Sequence, residues 1–299
     1  MSRRVWQRFP AGVTTVEDVA RHDLERGRWG GLPAGGTATV AEGPGPFVTH
    51  VVYEIDGVEH EWSSRAHRKG RRVGGLGGRI RWTRQWWIAV LFMVGSLCFA
   101  LGSVPGYASL VGVVADSATF FVGSIFFTSA GYLQFAEVVN TEPSAEAGAH
   151  RFRFASWEPR RIDWLATSIQ LAGTVFFNVS TLRALIESLD AAPASLLSWR
   201  PDALGSVCFL VASWLAFAEA GDGWLSWRLR DLGWSIAGLN LVGSVFFGLS
   251  AIGAYIIPST GDLLNAAVAN GGTFLGAACF LVGAALLIPE AEHLARAPD

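Results

Sequence analysis

The chain has 299 residues, 51% of them apolar and 16% charged, with a formal net charge of −2. That balance excludes a disordered polyelectrolyte and a basic nucleic-acid-binding domain, and it leaves room for several membrane spans beside a small soluble part. The small net charge hides an asymmetry: the first 85 residues carry 14 of the 23 basic side chains, and Lys69 is the only lysine.

Met1–Pro10 is polar and basic without an apolar run, so no cleaved signal is expected there. Thr14-Thr15-Val16-Glu17 has the Thr-x-x-Glu form of a capping box, and Val16, Val19, Ala20 and Leu24 follow on one helical face. After a Gly/Pro-rich stretch, Val51–Ile55 and Val58–Trp62 flank Asp56-Gly57 and predict a hairpin with a two-residue turn. Pairing Ile55 with Val58 places Val51, Tyr53, Ile55, Val58, His60 and Trp62 on one face. Thr37–Val40 would add a strand, and the short helix would cover the apolar face. His60 and His67 stand near Glu59 and Glu61, but no metal-ligand spacing is present and a packed His60 is expected. Ser64–Arg72 and the glycines after it form a basic linker, expected to lie on anionic lipid at about 1 kcal/mol per basic residue. Without interleaved aromatics or a folded reader, it does not point to nucleic acid.

Six apolar segments follow, each near the roughly 20 residues a span needs. They are one helical hairpin written three times. Trp86, Trp164 and Trp234 are each followed nine residues later by Gly95, Gly173 or Gly243, and four residues on by Phe99, Phe177 or Phe247. The second helix of each hairpin carries a glycine (Gly123, Gly205, Gly276) and, fourteen residues on, a glutamate (Glu137, Glu219, Glu290). At about 100° and 1.5 Å per residue, the Trp lies opposite the Gly, as an interfacial anchor, while Gly and Glu share a face about 21 Å apart. The six glycines are expected to let helices approach closely, as are the pairs Ser244/Gly248 and Gly272/Gly276. Arginines between spans two and three and between spans four and five put both termini in the cytoplasm.

Three glutamates at one depth need a reason, because each opposes the helix dipole and is costly in lipid. One reason is pairing with arginines such as Arg84, Arg161 and Arg230. The other is a ring of Glu137, Glu219 and Glu290 at the cytoplasmic mouth of a pseudo-threefold bundle, attracting cations or holding a proton. Gln134, Gln170, Asn178, Asn240 and Asn270 are the polar residues within the spans and are read mainly as interhelical hydrogen-bonding groups. Cys98, Cys208 and Cys279 are small packing residues without redox or metal spacing.

The segments Gly95-Ser96-Leu97-Cys98-Phe99 and Gly123-Ser124-Ile125-Phe126-Phe127 resemble the YrhK-like domain family of bacterial membrane proteins, here in three tandem copies. The resemblance implies membrane residence and fold and transfers no catalytic residue. Three two-helix units in a chain of this length are also similar in plan to the mitochondrial carriers, whose Pro-x-[Asp/Glu]-x-x-[Lys/Arg] signature is absent. The expectation is an all-α polytopic membrane protein with six transmembrane helices as three repeated helical hairpins and a small cytoplasmic N-terminal α+β region. Its parts would be residues 1–68 (α+β), 69–84 (linker), 85–140, 160–221 and 230–290 (hairpins) and 291–299 (tail). No cofactor, metal or catalytic motif is read. A scaffold or sensor of the bacterial cytoplasmic membrane is expected, with a small-cation or proton-linked transporter or channel as the alternative. No protein partner can be named.

Overall fold

The computed structural model describes residues 37–55, 57–70, 84–141, 152–191, 193 and 195–296. β1 (Thr37–Glu42), β2 (His50–Ile55) and β3 (Val58–Ser63) form an antiparallel sheet in that order. Ile55 pairs with Val58 and Val51 with Trp62, the register predicted from the alternation. Gly57 turns the chain at a φ of 80°, where a side chain would be strained. The sheet core is small: Val51 is fully buried against Ala41, Val48, Tyr53 and Trp62. His60 is not packed inside; it stands exposed near the turn and stacks on Tyr53 at 5.4 Å. The helix expected over 14–24 and the side chain of His67 lie outside the described residues.

β3 runs straight into α1 (Ser64–Gly70), begun by the Ser63 hydroxyl accepting from the Ala66 N–H. The expected boundary between residues 68 and 69 falls inside this helix. Six long helices follow: α2 (Arg84–Gly102), then, after the short α3 (Tyr107–Val111), α4 (Val113–Val139), α5 (Ile162–Leu189), α6 (Leu196–Gly221), α7 (Leu232–Gly253) and α8 (Ala266–Arg296). Each of the six is long and apolar enough to cross a bilayer, making this a multi-pass membrane protein. In α6 the helix runs well beyond the uncharged stretch 203–218 and takes Asp202 and Glu219 into its own turns.

The six helices pack in a closed ring, each on its chain neighbours and α8 back on α2. Their phenylalanines fill the centre. Phe99, Phe177 and Phe247 form one triangle with centroids 5.9–6.3 Å apart. Phe127, Phe209 and Phe280 form a second, at 5.7–6.2 Å. The glycines make this possible. A Cβ at Gly95 would stand 2.7 Å from the Phe127 ring, and one at Gly123 would stand 3.0 Å from the Phe99 ring. Gly173 and Gly205, and Gly243 and Gly276, stand in the same relation to Phe209 and Phe177, and to Phe280 and Phe247. Cys98, Cys208 and Cys279 put their Cβ atoms against the facing glycine. Gly272 also meets the α7 backbone, whereas Gly248 has nothing within 4 Å of its Cβ position and is no packing site.

Trp164 and Trp234 are not lipid anchors. They are buried, on Phe135 of α4 and Phe217 of α6, and each indole N–H donates to a loop carbonyl, of Ser156 or Ser226, at 2.9 Å. In a closed ring each helix covers two flanks, so the face opposite the glycine meets another helix instead of lipid. Trp157 and Trp227, seven residues earlier, pack against them, edge-on and tilted respectively, and are the exposed pair, at 81% and 80%.

Candidate functional site

The site lies at the end of the ring that α1 enters. Arg65, Arg68 and Lys69 stand at spacings of three and four residues, so one face of this single two-turn helix presents all three cations. Arg68 grips Glu219 with both terminal nitrogens, Nη1 to Oε1 at 2.8 Å and Nη2 to Oε2 at 3.2 Å, and Nη1 also donates to Asp163 at 3.1 Å. The Ser64 hydroxyl donates to the same Glu219 oxygen at 2.6 Å. Arg65 Nε donates to Glu290 at 3.0 Å, and Lys69 Nζ donates to the other oxygen of Glu290. Glu137 accepts from Gln85 and faces Arg68, Lys69 and Arg84.

Of the residues singled out in the sequence, Glu137, Glu219 and Glu290 are thus brought together, and α1 stands among them. Of the arginines expected to pair with them, Arg84 faces Glu137 and the other two do not. Arg161 binds Asp163 and Glu158, and Arg230 is exposed. Instead, Arg65, Arg68 and Lys69, expected to lie on lipid, supply the positive charge. The carboxylates are deeply buried, Glu219 at 3%, Asp163 at 4% and Glu290 at 6% exposure. Burial opposes charge on Arg68, but Glu219 and Asp163 more than offset it and hold the guanidinium above its ordinary range. Lys69 goes the other way: burial and the adjacent Arg65 lower it from 10.5 to about 8, against the pull of Glu290.

Asp163 was missed in the sequence, and its signal is positional. The residues just before Trp86, Trp164 and Trp234 are Gln85, Asp163 and Gly233, and all three meet α1. Gln85 also donates to the Lys69 carbonyl at 3.3 Å, Asp163 takes Arg68, and a Cβ at Gly233 would stand 2.7 Å from Arg65 Nε. The sheet adds a further link, from Thr49 to Asp222 at 2.7 Å, and Asp222 pairs with Arg228.

Between α1 and the phenylalanine layers lies a cavity of about 80 Å³, room for several waters. Glu137, Gln134, Thr167, Gln170, Asn240 and Phe280 are on its wall. Gln170 donates to Gln134 at 2.9 Å, and Asn178 to Thr128 at 2.7 Å, each joining α5 to α4. Among the described residues nothing bonds the Asn240 amide, Asn270 is exposed, and no three potential ligand side chains gather to hold a metal. No family model, no curated protein and no solved structure matches the chain.

Proposed function

We propose that this is a non-catalytic sensor or scaffold of a bacterial cytoplasmic membrane, in which the N-terminal region reads or sets the state of a helical ring. The observation that carries the reading is α1 seated on Glu219, Asp163 and Glu290. Two mechanically continuous elements, sheet and α1, are thereby coupled to three different membrane helices, α5, α6 and α8. The ring itself is proposed to be a triplicated hairpin around a pseudo-threefold axis, of the YrhK-like type, supported by the matched Gly/Phe contacts of its three helix pairs. Its termini are proposed to face the cytoplasm, on the strength of the basic loops at the α1 end. A reporter fused after Asp299 should then read cytoplasmic, and an external reading would reverse the orientation.

A small-cation or proton-linked transporter is the second reading, favoured by the polar cavity beside Glu137. Ion flux in proteoliposomes separates the two. A sensor gives no cation or proton flux above empty liposomes. Flux that disappears in the folded Glu137/Glu219/Glu290→Gln variant would establish the transporter.

A further inference from the structure

We propose that the socket under α1 is a binding site for organic cations bearing guanidinium or primary ammonium groups, and that α1 is its tethered occupant. This rests on the sensor reading and names the ligand class that would be sensed.

The occupant's bonding defines the chemistry. Glu219 receives an end-on guanidinium fork plus a hydroxyl, Asp163 shares the same guanidinium, and Glu290 receives a guanidinium and an ammonium. These are directional N–H contacts with carboxylates more than nine-tenths buried, a pattern suited to planar guanidinium and poorly met by a hydrated metal ion. Buried carboxylates stripped of their cations are strongly unfavourable, so α1 can leave only if an equivalent cation enters or the mouth floods.

A second observation is independent of the carboxylates. The cavity continues past α1 to Phe280, walled by Gln170 and by an Asn240 amide with no partner among the described residues. α1 does not fill this space. A cation with a short chain and a second polar end would occupy both the socket and the cavity.

Agmatine, with a guanidinium and an ammonium on a four-carbon chain, is the probe. Its binding to full-length protein in nanodiscs would be measured for wild type and Arg65/Arg68/Lys69→Ala. If α1 leaves the site open about one-tenth of the time, emptying the socket raises the apparent affinity about tenfold. Tetramethylammonium, without N–H donors, should not compete, and neither should sodium at the same concentration. Equal agmatine affinity in both proteins, or equal competition by sodium, would overturn the proposal. Should the triple variant not fold, a nitroxide at Ala66→Cys in an otherwise native mouth gives the answer. Agmatine should mobilise the label where matched sodium chloride does not, and an unchanged spectrum would overturn it. Failure here with α1 still seated and no flux leaves the sensor reading intact; ion flux removes that reading itself.

Discussion

At the scale of single residues, Arg68 carries the most contacts between α1 and the ring. Removing one partner of a buried pair costs about 3–5 kcal/mol, because the other charge stays buried. Arg68→Ala and Glu219→Ala should each lower thermal stability in detergent by an amount of that order. The double variant should lose less than the sum, and strict additivity would mean that the two do not interact. Arg68→Lys should recover only part of the loss, since an ammonium cannot make the two-nitrogen fork. Lys69 gives a pH dependence whose sign runs against intuition. Its folded-state pKa is lowered to about 8 from 10.5, so the seated form binds fewer protons than the free one between those values. Seating should therefore strengthen as pH rises from about 8 to 10.5, and weaken as pH falls through 8. A Lys69→Met protein should lose that dependence, measured as the pH profile of unfolding; an unchanged profile would assign it to another group.

At the scale of elements, glycine placement decides which helices touch. Gly243 and Gly248 lie on the same helix, and only Gly243 faces a phenylalanine, with a Cβ position 3.0 Å from the Phe280 ring. Gly243→Ala should cost about 1–3 kcal/mol through overpacking. Gly248→Ala should be neutral or slightly stabilising, as the propensity gain meets no contact. Equal effects would mean that the helix pairs are not held by these contacts. The spans were legible because twenty apolar residues have few alternatives, and the hairpin register because side chains alternate strictly along Val51–Trp62. The role of α1 was not. A run of arginines reads alike as a linker on lipid or as a helix in a socket, and its partners lie 95 to 225 residues away in sequence. The i, i+3, i+4 spacing of Arg65, Arg68 and Lys69 was the available clue. Trp164 and Trp234 were misread for a related reason: helical phase gives the face of a residue, and only ring closure says what that face meets.

At the scale of the whole molecule, the ring gathers its buried ion pairs, among the described residues, at the α1 end and its phenylalanine layers in the middle. Six phenylalanines in two layers cross the ring, and Phe280 of the second layer is on the wall of the cavity. That Glu137, Glu219 and Glu290 fall at one end of their helices was legible from the fourteen-residue spacing. Their neutralisation was not, because it depends on a helix from outside the membrane part. Emptying the socket, by Arg65/Arg68/Lys69→Ala, should open no ion pathway, since the phenylalanine layers stay in place.

The seat of α1 in the mouth of the ring is directly measurable. Nitroxides at Ala66→Cys and Ala155→Cys, with Cys98, Cys208 and Cys279 replaced by serine, would report it as a distance in nanodiscs by pulsed electron resonance. One dominant narrow distance in wild type, broadened and lengthened by Arg68→Ala, is expected. A broad distribution in the wild-type background, unchanged by Arg68→Ala, would contradict the account.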